Sequence, residues 1–554
     1  MKKTLSIIAM CIGIFLCMLD TTVMNIALPS IQDSLGVSLN HLQWALNIYT
    51  ITFASLTIPL SKLAEKFGKH KIYLCALVIF SAGSLISSLS SDVTQLIIGR
   101  AIQSIGAAII FPLSMTIGIN TVSLEARKGV IAALGVTQGL AAALGPTIGG
   151  ILTQFLGWEW IFLINIPLMV ISFIICITCL NFKERKEIAK VDALGALLCM
   201  LTLLSLTLGL VQGRVWGWTS LSILSLLIGS AVLLILFILW ENHCKYPMMP
   251  LELFKNKEFT GSALAILLSN VFLVAVTVVL PTYFTRVQNE TELVAALLVT
   301  PITAMIFIFS PIAALIIDKI GPRIVIASGF ILMNIAYYLF TQIDMSNVVQ
   351  TSITCLILGI GYGIIAGPIT VLAASDFTGN LLTASQSVAG VLRQIGIVLA
   401  VAIYVSGLYA NLTTAKSESV NYITEIVKTI DVSASKQKII IETAASSLGK
   451  STSTSTSTNH FSEEEKNSII EENYETVLSQ YPDTISDEQK EQIHSNVEEI
   501  VTKKLNEINK QINKAIKKIK SYATKRYTKA FTKLYQYSIV FVAFSTFSFL
   551  LFPK

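Results

Sequence analysis

Residues 5–28 read LSIIAMCIGIFLCMLDTTVMNIAL, an uninterrupted apolar run whose single formal charge is Asp20. As a helix rising about 1.5 Å per residue, this run is long enough to cross a hydrocarbon core of about 30 Å. Lys2 and Lys3 before it resemble the start of a secretory leader. The run is too long for one, however, and lacks a small-residue cleavage site, so it reads as a first membrane helix.

The same pattern recurs outward from that run. Apolar stretches bounded by charge, Gly or Pro lie near 43–63, 72–91, 95–119, 129–155, 160–181, 192–212, 220–240, 260–285, 292–317, 323–341, 350–374, 384–409 and 535–552. With the first they predict fourteen spans. The composition agrees: 53% of the 554 residues are hydrophobic and 13% are charged, where a soluble protein carries about 25% charge. What charge exists is concentrated, since 17 of the 34 acids and 18 of the 40 bases lie between Asn411 and Lys533. The expected fold class is therefore an all-α polytopic membrane protein.

Several function classes fall away. The eight cysteines and five histidines show no ligand spacing, so neither a metal site nor a disulfide framework is expected. Cys176 and Cys179 form a CxxC inside an apolar run, where both read as small apolar side chains. The net charge of +6 comes mostly from loop lysines and implies no nucleic acid. No Ser/His/Asp set points to an enzyme, and the Gly-rich stretch 143–152 lacks the Lys-Ser or Lys-Thr of a phosphate loop. With no ATP site and no cofactor implied, an ion gradient remains as the energy source.

Lysine and arginine in the short connections set an orientation. Placing the N-terminus in the cytoplasm puts 18 basic residues on inner segments and only Arg214 and Arg286 on outer ones. Both termini are thus expected inside, although the basic stretch from Lys525 to Lys533 then falls outside, in a long loop to which the rule does not apply. The sequence also repeats: SKLAEKFGKHK (61–71) follows the second span and ALIIDKIGPR (314–323) follows the tenth. This predicts a six-span bundle over 1–190, two inserted spans with a cytoplasmic linker over 191–259, and five spans of a second bundle over 260–410. An extracytoplasmic insert over 411–533 and a last span over 534–554 complete the order.

Four motifs occur in sequence: LDTTVMNIALP (19–29), SKLAEKFGKHK (61–71), GRAIQSIGAA (99–108) and ALGPTIGGIL (143–152). Together with WEWIFLINIP (158–167), VDALG (191–195), WGW (216–218), PMMPLELFKNKEF (247–259) and the pair Arg393-Gln394, they resemble the major facilitator superfamily. The likeness is to its fourteen-span bacterial drug:proton antiporters, over residues 1 to about 410 and the last span. Ser61, Glu65, Ala141 and Glu159 depart from the family's usual residues.

The residues themselves carry a parallel reading. A carboxylate in hydrocarbon is costly unless protonated or paired, so Asp20 is the expected proton carrier, or else a structural acid held by Thr22 or Asn25. Arg100, which stays charged wherever it sits, either tunes a nearby carboxylate, as the resemblance implies, or reaches the outer headgroups. Lys62, Glu65, Gly68 and Lys69 are expected to gate, as are their counterparts Asp318, Gly321 and Arg323. Pro146 should kink the fifth span, while Gly145, Gly149 and Gly150 permit close helix contact. Asn25, Gln103, Gln138, Asn165, Asn270, Arg393 and Gln394 are candidates for lining a substrate cavity. Because the tenth span lacks an embedded acid, monovalent lipophilic cations, zwitterions or neutral compounds are the favoured cargo.

The insert is read separately. Ser and Thr alternate over 451–458, and Ile493, Val497, Val501, Leu505, Ile508, Ile512, Ile516 and Ile519 recur as on one helix face. Residues 461–500 hold 12 acids and 2 bases, and residues 503–533 hold 1 acid and 11 bases. This pattern predicts an antiparallel helical hairpin, serving as an exit cap, as a dock for an envelope partner, or as a tolerated insertion.

The resulting expectation is a monomeric, proton-driven exporter of small amphipathic compounds in a bacterial cell membrane, touching lipid, protons and its cargo. Export of an endogenous lipid, peptide or metabolite is the alternative. A receptor or scaffold acting through the outer hairpin is a second.

Overall fold

A computed structural model describes residues 2–37, 39–182, 192–288, 290–430, 432–447, 463–481 and 485–552. The Ser/Thr repeat, the basic residues of 183–190 and the side chain of Asn25 lie outside this description. Among the described residues the regular structure is helical, with no strand. The first helices are α1 (Lys2–Leu35), α2 (Leu39–Phe67), α3 (Lys69–Ser88), α4 (Val93–Asn120), α5 (Arg127–Phe155), α6 (Trp160–Leu163), α7 (Asn165–Cys179), α8 (Ala193–Trp216) and α9 (Leu221–His243). They are followed by α10 (Lys257–Arg286), α11 (Glu292–Ile320), α12 (Pro322–Gln342), α13 (Val348–Ser375), α14 (Gly379–Ala400), α15 (Ser406–Val427), α16 (Ala434–Ser447), α17 (Glu463–Leu478) and α18 (Asp487–Thr546).

Helix starts follow local chemistry. Asp92, Asp192, Ser220, Thr291 and Asn347 each cap the following helix by accepting a backbone N–H, which satisfies a donor that has no partner within the helix. Gly68 at φ 106° and Gly321 at φ 90° open α3 and α12. These are the matching glycines of the two repeated loops, and only glycine takes that backbone conformation without penalty.

Twelve described helices are long and apolar enough to cross a membrane, or thirteen if the bent pair Arg127–Ala141 and Leu144–Phe155 counts as one span. The bend of that pair is 43°, and Pro146 is its physical cause, because proline removes a backbone donor and crowds the carbonyl one turn back. α2, expected as the second span, is a 29-residue helix but is not among the twelve, with Asn47, Thr50, Thr52, Ser55 and Thr57 along its length.

The chain divides into two compact units. The first comprises Met1–Thr282, Glu290–Gly407 and Lys533–Lys554, and so gathers both expected bundles, the inserted spans and the last span. The second comprises Tyr283–Asn289 and Leu408–Thr532. Its core is formed by Ile423, Val427, Ile430, Ile440 and Ile470 together with Val497, Val501, Leu505, Ile508, Ile512, Ala515 and Ile519. The periodic face of residues 493–519 is thus buried against α15, α16 and α17.

The hairpin expected over 411–533 needs correction. Asp487–Thr546 is one helix of 60 residues, so Asp487 to Glu499 and the basic run 503–533 are collinear and cannot form opposing arms. A change in charge does not end a helix, and no Gly or Pro interrupts this segment. No connection opens at 411 either: α14 continues through a π-helical turn at Val401–Val405 into α15. Within the unit, Tyr422 stacks on Tyr522 at 4.0 Å, Arg526 pairs with Glu418 at 3.2 Å, and Lys436 pairs with Glu465 at 2.7 Å.

Candidate functional site

Asp20 and Arg100 meet inside the first unit, 4% and 1% exposed. One Arg100 Nη1 hydrogen bond goes to Asp20 Oδ2 and another to Gln103 Oε1 at 2.7 Å, while Nε donates to the Ala45 carbonyl at 3.3 Å. Gln103 Nε2 donates to Asp20 Oδ1 and to Ser84 Oγ, both at 2.9 Å, and Asn165 Nδ2 reaches the same Ser84 Oγ at 3.3 Å. The guanidinium also lies 4.3 Å from the Tyr49 ring centroid and 5.6 Å from that of Phe162.

The local cause is helical spacing. Arg100 and Gln103 stand at i and i+3 on α4 and share a face, so both address the one carboxylate on α1. Each charge alone would cost several kcal/mol to bury, and the pair is tolerated because each neutralises the other and Gln103 and the Ala45 carbonyl supply further hydrogen bonds. Arg100 therefore does not extend to the headgroups. What the arrangement offers chemically is a charge pair whose hold depends on the protonation of a single acid.

α5 packs against α1 within three residues of Asp20. A Cβ placed on Gly145 would fall 1.8 Å from Thr22 Oγ1, and one on Gly149 would fall 3.0 Å from the Val23 carbonyl oxygen. Gly150 faces the other way, 3.2 Å from Leu293 Cδ1 on α11. Thr147 and Thr300 share a hydrogen bond of 3.2 Å between the same two helices. The small residues of 143–152 thus let one bent helix touch both halves of the repeat.

The expected gating residues fall at one end of the helices. Lys62 pairs with Glu65 at 2.9 Å, Lys69 Nζ donates to Thr383 Oγ1 at 2.9 Å, and Lys128 pairs with Asp318 at 2.6 Å. The last two contacts join α3 to α14 and α5 to α11, linking the halves. Arg323 Nε donates to the Phe552 carbonyl at 2.5 Å. Beside them lies a cavity of about 360 Å³ lined by Glu65, Lys69, His70, Asn120, Asn181 and Asn380, among others.

Comparison with known proteins decides the family. Residues 10–401 match the model of the Major Facilitator Superfamily. The chain belongs to that superfamily. It is a multi-pass membrane transporter and not an enzyme. The chain is 29% identical over 398 residues to the multidrug transporter protein MdtP of Bacillus subtilis (strain 168), covering 71% of this chain and 73% of the relative. It is 28% identical over 391 residues to the probable multidrug resistance protein EmrY of Escherichia coli (strain K12), covering 70% and 76%. Among solved structures it shares the fold of the proton:xylose symporter XylE bound to 6-bromo-6-deoxy-D-glucose. The TM-score there is 0.51 at 14% identity, with 72% of this chain and 87% of that one covered.

The remaining predicted cavity residues of this superfamily member have separate partners. Gln138 Nε2 contacts Met115 Sδ at 3.5 Å, and Asn270 accepts a hydrogen bond from the Tyr362 hydroxyl at 3.2 Å. Arg393 lies 5.9 Å from the Phe111 ring centroid, and Gln394, 1% exposed, has neither amide atom hydrogen-bonded among the described residues.

Sequence reasoning singled out Asp20 as the expected proton-carrying acid, yet Glu241 on α9 is also buried, at 3% exposed. Its oxygens accept the Met248 and Met249 N–H groups at 3.1 and 3.2 Å, and the neighbouring Trp240 Nε1 donates to Asp192 at 2.7 Å. Glu241 stands one residue beyond the apolar run 220–240, where it reads as an interfacial charge. The signal that could have found it is the PMM of 247–249, which turns the backbone back onto the helix end. Ser84 and Tyr49 were also missed, since a serine or tyrosine in an apolar run gives no sign of what it bonds.

Proposed function

We propose that this transporter exports small amphipathic compounds in exchange for protons, by alternating access, with both termini in the cytoplasm. The observation that carries the reading is the buried pair of Asp20 and Arg100, knitted to Gln103, beside the contact of Gly145 with Thr22. The similarity to proteins named for multidrug transport and resistance supports efflux as the direction. The excess of lysine and arginine on the connections assigned to the inside supports the orientation.

In the proposed cycle a proton arriving from outside neutralises Asp20 and weakens its hold on Arg100. Arg100 keeps Gln103, the Ala45 carbonyl and the Tyr49 ring, while α1 loses its ion pair to α4 and keeps only the Gln103 hydrogen bond to Asp20. Because α1 lies between α4 and α5 at this level, that loss frees it to move with the bent α5, which also touches α11. The links Lys69 to Thr383 and Lys128 to Asp318 open and close one end as the halves rock. Release of the proton inside restores the pair, and cargo binds for the return.

The test is export by inverted vesicles under an imposed pH gradient. Wild type is expected to accumulate a fluorescent amphiphile only when the gradient is present, and Asp20→Asn to lose that dependence. Uphill transport that ignores the gradient, or an Asp20→Asn protein that pumps at the wild-type rate, would overturn the proposal.

A further inference from the structure

The two interior arginines are treated very differently by the fold. Arg100 is held by an acid, an amide, a carbonyl and two aromatic faces. Arg393, midway along α14, has none of the polar partners: among the described residues no carboxylate pairs with it, no hydrogen bond reaches it, and its Nε is buried without an acceptor. Guanidinium keeps its charge in any protein environment, so the position cannot relax by losing a proton. A buried donor left without an acceptor is costly, which makes the missing partner of Nε a question about a ligand.

The surroundings specify that ligand further. The guanidinium carbon lies 5.9 Å from the Phe111 ring centroid on α4, and Phe111 meets Phe53 of α2 edge-on at 5.9 Å. Gly390, one turn before Arg393, leaves 3.2 Å between a would-be Cβ and the Phe111 ring, so the ring seats directly on α14. Tyr362 on α13 lies within electrostatic reach of the guanidinium, and its hydroxyl is anchored on Asn270. Arg393 itself is partly exposed, unlike the fully enclosed Arg100. The place therefore combines a partly exposed guanidinium, a wall of buried aromatic rings and, next along the chain, a buried amide with unused donor and acceptor atoms in Gln394.

We infer that Arg393 is a specificity-determining residue for cargo, binding one oxyanion group, a carboxylate or its like, on an amphiphile. The inference rests on the export reading and narrows its cargo to anionic and zwitterionic compounds. A planar guanidinium matches a carboxylate with two parallel hydrogen bonds, whereas a lysine offers only a point charge. A purely cationic compound would meet like charge at this position, where no carboxylate pairs with Arg393 among the described residues.

The experiment is equilibrium binding to the purified full chain in detergent, using pyrenebutanoate, its neutral N-methylamide and pyrenebutyltrimethylammonium. Wild type is expected to prefer the carboxylate over the amide by about tenfold or more, and Arg393→Gln to erase that ratio. Arg393→Lys, which keeps the charge and loses the fork, should retain an intermediate ratio, and it carries the test if Arg393→Gln does not fold. Equal binding of the three probes by wild type, or a carboxylate-to-amide ratio unchanged in a folded Arg393 variant, would overturn the inference.

The same probes in inverted vesicles separate the two claims. Carboxylate binding that depends on Arg393 without gradient-driven movement would sink export and leave the site standing. Gradient-driven movement with no carboxylate preference would do the reverse.

Discussion

Adding one methyl group at Gly145 tests whether the contact between α1 and α5 holds the carboxylate helix in place. A Cβ there would stand 1.8 Å from Thr22 Oγ1, 2.7 Å from Thr22 Cβ and 3.5 Å from the Val23 nitrogen. Rotating the threonine hydroxyl away would give up its 3.0 Å hydrogen bond to the Leu19 carbonyl and would still leave the Cβ contact. The helices themselves must separate, and overpacking of this kind costs about 1–3 kcal/mol. That corresponds to a factor of about 5 to 150 in any equilibrium that requires the contact. Two internal comparisons calibrate the effect. Gly150→Ala would press only on the end of Leu293 at 3.2 Å, with the Leu293 Cα at 3.7 Å and Ile26 Cγ2 at 4.0 Å in ordinary contact, and Gly129→Ala, near the start of the same helix, meets nothing within 4 Å. The expected order of loss is Gly145→Ala, then Gly150→Ala, then Gly129→Ala, the last being neutral or stabilised by up to about 1 kcal/mol through better helix propensity. Thermal unfolding in detergent and gradient-driven export read the two consequences. A Gly145→Ala protein as stable and as active as Gly129→Ala would refute the reasoning.

Removing Arg100 alone, as Arg100→Met, is expected to cost about 3–5 kcal/mol because it leaves the Asp20 charge buried and unpaired, whereas adding Asp20→Asn should recover part of that loss. Purely additive changes in unfolding temperature would contradict the pairing. Lys128→Glu, at a pair whose side chains are 56% and 60% exposed, should change stability by no more than about 1 kcal/mol, an effect that fades as salt is raised. Melting curves across ionic strength check this, and a large salt-independent loss would be inconsistent with it. Ile512→Ala, at a fully buried position of the second unit, should cost about 2–5 kcal/mol and speed proteolytic cleavage within residues 408–532. Unchanged digestion would argue against a shared core there.

Much of the fold was legible because the bilayer imposes its own length on a helix. The apolar run at 5–28 and the matched glycines at 68 and 321 gave spans and turns directly, the former from solvent transfer and the latter from backbone sterics. Arg100 and Gln103 could be placed on one face from their spacing alone. Their meeting with Asp20 could not, since 80 residues separate the acid from the arginine and one-dimensional periodicity says nothing about which helices adjoin. α18 was misread for a different reason: reversal of charge looks like a boundary, but only loss of backbone hydrogen bonding or a steric breaker ends a helix. Glu241 escaped notice because an acid at the edge of an apolar run ordinarily faces water, and its two backbone partners come from a turn that the sequence does not draw.

The pairing of Asp20 with Arg100 also bears on what a membrane voltage can do. With both groups ionised the pair has no net charge, so a field across the bilayer exerts little net force on it. Under the proposed coupling, a bound proton leaves one uncompensated positive charge, and carrying it through the full field is worth about 2.3 kcal/mol per 100 mV. The electrical component of the driving force would then act on the protonated leg of the cycle, and on the return leg as well where the cargo is anionic, so exchange should quicken as the cell interior becomes more negative.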